Sequence, residues 1–339
     1  MASLARLFPM TPALFVLDAR AFELIYGAPG AGEIKRRARV LGEPLTRETV
    51  KAHPELSREA EVIFSGWGAP VMDEAFLAAA PRLRAVFYGA GSVRYFATDA
   101  LWERGVVVAS AGAINAIPVS EYTLAAILFS LKHGWVHMAA AKRGREGYRR
   151  QPVPGAHGSK VGLVSLGVIG RLVRERLRPF DVEVFGYDPF VSIAQAAQLG
   201  VRLVGLEEMF AQCDVVSLHT PWLKETEGMV TGALVDSMKP GATLVNTARG
   251  ALVREAELAA VLARRPDLTA VLDVTWPEPP LPGSPLYSLP NIILTPHIAG
   301  SMDRECRRMG RAMINEFDRW SRGEPLTMQV VREQVELRA

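Results

Sequence analysis

Two successive series of short apolar runs alternating with helical stretches predict an α/β protein with two parallel-sheet domains. The length agrees: 339 residues are enough for two domains of about 100 to 200 residues, each burying its own core. Composition agrees too, since 49% hydrophobic and 22% charged residues is globular usage, unlike that of a disordered chain or a fibrous repeat.

In the first series, residues 13–17, 60–64, 84–88 and 106–109 read as buried strands: short, rich in Val, Phe or Ile, and closed by Gly, Ser or Asp. Helices are expected between them at 72–80 and at 98–104, the second capped by Thr98. The second series starts near Lys160, with strands at 161–164, 183–187, 215–218, 243–246, 268–273 and 292–294. Six strands fit a full dinucleotide-binding fold. An apolar helix from Pro118 to about Lys132 and a segment at 142–160 join the two series; the segment is rich in Gly, Pro and Arg and carries a net charge of +5. It reads as a solvated connection or subunit-contact arm rather than a nucleic-acid patch, because stacking aromatics are nearly absent. Together the two series describe Rossmann-like/flavodoxin-like parallel-sheet domains.

Lys plus Arg number 39 against 36 Asp plus Glu, and an excess of three charges over this length is no polyanion-binding signature. Two cysteines, Cys213 and Cys306, make no disulfide framework and fit a reducing cytoplasm. The apolar stretch 7–17 is broken by Pro9 and Pro12 and closed by Asp18, which argues against a leader peptide. The most apolar later stretch, 122–131, is about half of the roughly 20 residues that span a bilayer. The expectation is a cytoplasmic protein with no membrane, nucleic-acid or metal partner.

Three glycine clusters rank differently as nucleotide loops. Gly27, Gly30 and Gly32, with Pro29 among them, read as a bend. Gly89 and Gly91 follow a good strand, but Arg94 stands where a third glycine is needed. The third cluster runs from Val161 to Gly170 and joins a strand to a helix starting near Ile169. There Gly167 lets the backbone approach a pyrophosphate and Gly170 lets helix and strand pack closely, while the helix N-terminus supplies unpaired N–H donors. Ser165 replaces the first glycine, at the position that makes the tight turn. Asp188 ends the next strand, where a carboxylate holds the adenosine ribose, and no Arg follows to receive a 2′-phosphate, so NAD is favoured over NADP.

Ligands of open α/β sheets lie beyond the carboxyl ends of the strands. Three ionisable residues follow three consecutive strands here: Arg249, Glu278 and His297. An arginine grips a carboxylate with two parallel hydrogen bonds, a histidine exchanges a proton near neutral pH, and a nearby glutamate favours the charged imidazole. These are the parts needed to move a hydride between a nicotinamide and C2 of a 2-oxo acid.

At these residues the sequence resembles the D-isomer-specific 2-hydroxyacid dehydrogenases. The resemblance rests on Asn246-Thr-Ala-Arg-Gly250, Asp273-Val-Thr-Trp-Pro-Glu-Pro279, Thr295-Pro-His-Ile-Ala-Gly300, Ser217-Leu-His-Thr-Pro221 with Thr226, the Gly89-Ala-Gly91 turn, and Asn115 ahead of Val119-Ser-Glu121. It implies that Arg249 binds the substrate carboxylate and polarises the carbonyl, that His297 gives or takes the proton, and that Glu278 orients and charges His297. Ala90, Gly91 and Ser92 would join Arg249 and His297 around the substrate. Ala90, Gly167, Val168, Ile169, Gly170 and Asp188 would contact NAD, as would His219, Thr220, Pro221, Thr226, Thr247, Ala248, Arg249, Asp273, His297 and Gly300, with Asp273 accepting from the carboxamide. The family architecture also implies an NAD-binding Rossmann domain at 114–302, inserted into a substrate domain made of 1–113 and 303–339, and a homodimer formed by the helix and arm after Pro118.

Three positions depart from the family pattern: Ser165, the Arg94–Tyr95 segment, and Thr275 in place of a common aromatic. His53, His133, His137 and His157 sit in no motif and read as satisfied or solvated side chains. Trp67, Tyr88, Trp276 and Tyr287 are candidates for interdomain packing or for pocket walls. Two other readings stay open: an NAD(H)-sensing binding protein of corepressor type on the same scaffold, against which the short stretch after Gly323 weighs, and a formate or phosphite dehydrogenase.

Overall fold

The structure is a computed structural model, and it describes residues 10–335. The part of the 7–17 stretch before Met10 lies outside the described residues. The chain divides into two compact units, one made of residues up to Asn115 and from Ser301 onward, the other of Ala116–Gly300.

In the first unit, β1 (Pro12–Val16), β2 (Arg39–Val40), β3 (Val62–Ser65), β4 (Ala85–Tyr88) and β5 (Val107–Ser110) form a parallel sheet in the order β2-β1-β3-β4-β5. That is the doubly wound order with its switch point between β1 and β3. Every residue of β1, β3 and β4 is buried, as expected of strands covered on both faces. One face holds a ring cluster in which Phe64 stands 5.5 Å from Phe87 and 5.4 Å from Phe317. Phe317 comes from the helix Cys306–Ser321, whose buried stripe also includes Met309 and Met313.

The second unit carries β6 (Ser159–Val164), β7 (Val182–Tyr187), β8 (Arg202–Leu203), β9 (Val215–Leu218), β10 (Thr243–Asn246), β11 (Thr269–Leu272) and β12 (Ile292–Leu294), ordered β8-β7-β6-β9-β10-β11-β12. This is the Rossmann arrangement with one further parallel strand, giving seven strands rather than the six expected. The strand beyond the six-stranded order is β12 at the edge, and the one not expected from the sequence is β8, whose two residues are too few to show an apolar pattern. A last strand, β13 (Gln329–Val330), returns to the first sheet antiparallel to β5. The buried Glu316 carboxylate places it by accepting from the N–H groups of Thr327 and Met328, at 2.9 and 3.0 Å, and from the Thr327 hydroxyl at 2.6 Å.

Two expectations need correction. The Gly27, Gly30 and Gly32 cluster is no bend but the helix Gly27–Lys35, which follows the helix Ala19–Ile25 directly. Gly27, at φ +51°, makes the break between them, and Pro29 falls in the first turn, where its missing N–H costs nothing. The helix assigned to 118–132 is Gly112–Ser130, with Pro118 inside it. Proline read as a start signal, yet this helix tolerates the lost bond to the Ile114 carbonyl. At 19 residues and mean hydropathy 1.3 it is long and apolar enough to cross a membrane. Its Ala126 and Ile127 are instead part of the second unit's core.

In the first unit a β-carbon on Gly310 would stand 2.1 Å from the Ile25 carbonyl oxygen, so this glycine sets how closely Cys306–Ser321 approaches Ala19–Ile25. Gly310→Ala is expected to lower unfolding free energy by about 1–3 kcal/mol in denaturant titration. A midpoint unchanged or raised, as helix propensity alone dictates, would contradict this packing.

Candidate active site

β10, β11 and β12 pair in parallel with Asn246, Leu272 and Leu294 in register, so the segments that follow them leave the sheet at one edge. The first segment is fixed by Asn246, whose Nδ2 donates to the Arg249 carbonyl at 2.9 Å while its Oδ1 accepts from the Ala248 N–H at 3.0 Å. Thr247 shares a hydroxyl pair with Thr123 at 3.0 Å. Arg249 donates from Nη1 to the Ala248 carbonyl at 2.6 Å, which orients the guanidinium. Any β-carbon on Gly250 would lie 2.0 Å from the Thr275 carbonyl carbon, so only glycine lets this segment rest against the one after β11.

The segment after β12 is held by Asp273, 2% exposed. Its Oδ1 accepts from Thr295 Oγ1 at 2.7 Å and from the Ile298 N–H at 2.9 Å, and its Oδ2 accepts from the Ala299 N–H at 2.9 Å. Oδ2 thus retains lone-pair capacity for the carboxamide contact expected of it. Tyr122 adds a 2.8 Å contact to Thr295 Oγ1. Within this turn His297 adopts φ +54°, a left-handed conformation unusual for a residue with a side chain. Its ring Nδ1 lies 2.7 Å from Glu278 Oε1, and both side chains are partly open to solvent. Burial pulls the Arg249 guanidinium below its ordinary range, and the Glu278 carboxylate opposes that shift. Arg249, Glu278 and His297 therefore belong to one unit and one sheet edge.

The nucleotide loop lies in the same unit. Gly167 is the N-cap of the helix Val168–Leu177, and a β-carbon there would meet nothing nearer than Ser165 Oγ at 3.9 Å, which leaves its backbone open to a ligand. On Gly170 a β-carbon would stand 2.2 Å from the Ser165 carbonyl oxygen, so glycine is needed for the helix to pack there. Asp188 accepts from the Leu166 N–H at 2.7 Å and from the Phe190 N–H at 2.9 Å, which fixes its carboxylate at the end of β7. An open glycine backbone, a helix N-terminus and a fixed carboxylate fit a dinucleotide. Val168 is exposed and Ile169 half-buried. Beyond β9, Thr220 donates to the Val164 carbonyl at 3.3 Å, and Thr226 donates to the Pro221 carbonyl at 2.6 Å. Gly300 closes the unit.

Ala90, Gly91 and Ser92 lie in the first unit, where Ser110 Oγ lies 3.0 Å from the Ala90 carbonyl and 2.5 Å from that of Gly91. Tyr88, a candidate pocket wall, is buried in that unit's core with its hydroxyl 2.6 Å from that of Tyr95. Trp276 is exposed and makes an edge-on pair with Trp222 at 4.6 Å. Asn246 and Thr295 support the site and carried a signal, since both stand in the quoted motifs. Glu255, which accepts from the Trp276 N–H at 2.6 Å, and Tyr122 and Thr123 carried none, because nothing links them in sequence to the groups they hold. Among the described residues no cluster of His, Cys, Asp and Glu could hold a metal.

Residues 124–299 match the model of the D-isomer specific 2-hydroxyacid dehydrogenase NAD binding domain, just over half of the chain. The chain belongs to this family. Its second unit therefore contains an NAD-binding domain. A D-3-phosphoglycerate dehydrogenase from Mycobacterium tuberculosis is 36% identical over 244 residues, which cover 71% of this chain and 46% of that protein. The chain thus spans about half the length of the curated relatives it matches. Among solved structures, apo D-mandelate dehydrogenase from Rhodotorula graminis shares the fold at 23% identity, with a TM-score of 0.79 over 96% of this chain and 98% of that one. A formate dehydrogenase from Granulicella is 26% identical, with a TM-score of 0.66 over 80% and 74%.

His219 is buried beside the nucleotide loop with neither ring nitrogen hydrogen-bonded, and burial pulls its pKa from 6.5 down to about 3. The unfolded chain therefore binds this proton more readily, so the folded state loses stability as pH falls from about 6.5 towards 3, by up to about 1.4 kcal/mol per pH unit. His219→Gln is expected to flatten the fall in melting temperature between pH 6.5 and 4 relative to the unsubstituted protein. Parallel curves would show that His219 is not buried in the neutral form.

Proposed function

We propose that the protein is an oxidoreductase transferring a hydride between NAD(H) and C2 of a 2-oxo acid or D-2-hydroxy acid. What carries the reading is the 2.7 Å His297–Glu278 pair at the same sheet edge as Arg249, inside the unit that contains the NAD-binding domain. Gly167, Val168, Ile169, Gly170 and Asp188 would hold the cofactor at one end and Thr247, Ala248, Asp273 and Gly300 at the other; when bound, it would give a hydride as NADH for reduction and take one as NAD for oxidation.

Arg249 receives the substrate carboxylate. A guanidinium carries five N–H donors in a planar fork, and the bond to the Ala248 carbonyl sets the direction in which the rest point. Partial desolvation strengthens its hold on an anion. Glu278 accepts from Nδ1 of His297, so Nδ1 carries the proton in the neutral ring and Nε2 is the nitrogen that exchanges one with the substrate oxygen. When Nε2 is protonated for reduction, the Glu278 carboxylate stabilises the imidazolium; after it gives up that proton, the pair is ready for the reverse direction.

The unit up to Asn115 and from Ser301 is the substrate domain in this reading, with Ala90, Gly91 and Ser92 binding the acid. The protein is a cytoplasmic homodimer formed through the helix and arm after Pro118, and it needs no membrane, nucleic acid or metal. The two cysteines, buried and free, agree with a reducing compartment.

The test is NADH oxidation followed by absorbance with glyoxylate, hydroxypyruvate, pyruvate and phenylpyruvate, and NAD reduction with D-3-phosphoglycerate, formate and phosphite. Turnover of at least one 2-oxo or 2-hydroxy acid is expected, falling about 10²- to 10⁴-fold in His297→Gln with a far smaller change in NADH affinity. NADH binding without turnover of any acid would favour the binding-protein reading, and turnover of formate or phosphite alone would replace the substrate class.

A further inference from the structure

The NAD-binding reading of the second unit leaves one residue of its nucleotide loop unaccounted for. In the G-x-G-x-x-G fingerprint the first glycine makes the tight turn. This chain has Ser165 there, at φ +78°. A residue with a β-carbon is strained in that backbone conformation, and strain that persists in a ligand loop points to a use for the side chain.

Ser165 Oγ lies 3.4 Å from Asp188 Oδ2, too far for a strong hydrogen bond. Asp188 does not depend on it, because the same oxygen takes the Leu166 N–H at 2.7 Å and Oδ1 takes the Phe190 N–H at 2.9 Å. On its other side, Ser165 Oγ is 3.9 Å from the point where a β-carbon on Gly167 would stand, and Gly167 is the N-cap of Val168–Leu177. The hydroxyl thus lies within 4 Å both of the carboxylate suited to the adenosine ribose and of the β-carbon position of the glycine that caps the helix suited to the pyrophosphate. It is only partly buried, so a ligand can reach it.

We infer that Ser165 is a direct contact of the bound NAD, its hydroxyl donating to a pyrophosphate oxygen beside the helix N-terminus. The inference rests on the NAD-binding reading. Hydrogen bonds to a charged oxygen are among the stronger ones, so loss of this donor is expected to weaken binding about tenfold.

The experiment measures NADH and ADP-ribose affinity by calorimetry, and melting temperature without ligand, for the unsubstituted protein, Ser165→Ala and Ser165→Gly. Both variants should bind each ligand about tenfold more weakly. Because glycine relieves the strained backbone, Ser165→Gly should melt no lower than the unsubstituted protein, which separates loss of a contact from loss of fold. If Ser165→Gly binds NADH as tightly as the unsubstituted protein or more so, the hydroxyl is merely tolerated and the inference is overturned. The same holds if ADP-ribose affinity, which needs no nicotinamide, is unchanged in Ser165→Ala. Failure of the unsubstituted protein to bind NADH would overturn the cofactor reading itself, and that result precedes any substitution.

Discussion

Asp273, buried at the end of β11, accepts from Thr295 Oγ1 and from the N–H groups of Ile298 and Ala299, and these bonds hold His297 in a left-handed conformation that it would not adopt alone. Such a conformation costs on the order of 1–3 kcal/mol, so it persists only where its surroundings over-determine it. The His297 N–H also donates to the Asp273 carbonyl at 2.9 Å. Backbone and side chain of one aspartate therefore set where the imidazole stands, and the 2.7 Å approach of Glu278 depends on that placement.

Charge at the site is arranged around Glu278. Arg249 is buried enough to depress its guanidinium, and the carboxylate of Glu278 compensates in part. The same carboxylate meets the His297 ring. One anion thus serves two cations, or one cation and one imidazole ring, and in the proposed function an incoming carboxylate would complete the balance at Arg249. The close contact of Gly250 with Thr275 keeps the segments carrying Arg249 and Glu278 together, so steric fit and electrostatics impose the same arrangement.

Much of this was legible in the sequence because parallel strands buried on both faces announce themselves as short apolar runs, and the residues just past their carboxyl ends are the ones that reach a ligand. Arg249, Glu278 and His297 were singled out that way, and the fold brings the segments that carry them to one sheet edge. The two-residue strands β2, β8 and β13 were not, since two residues establish no pattern. Pro118 misled because proline marks a helix start far more often than a helix interior. The glycines around Pro29 misled because a broken pair of helices has the composition of a bend. Tyr122, Thr123 and Glu255 were invisible for another reason: each is distant in sequence from the group it supports, and only the fold reveals the contact.

The central claim is that one guanidinium receives the substrate carboxylate beside the His297–Glu278 pair. The most direct measurement is kcat/KM for the best 2-oxo acid with Arg249→Ala, with and without millimolar guanidinium in the assay. The expected result is a loss of roughly a hundredfold or more, in line with the 2–5 kcal/mol cost of removing one partner of a buried charge pair, partial recovery with added guanidinium, and a far smaller change in NADH affinity. An unchanged kcat/KM in the variant would contradict it.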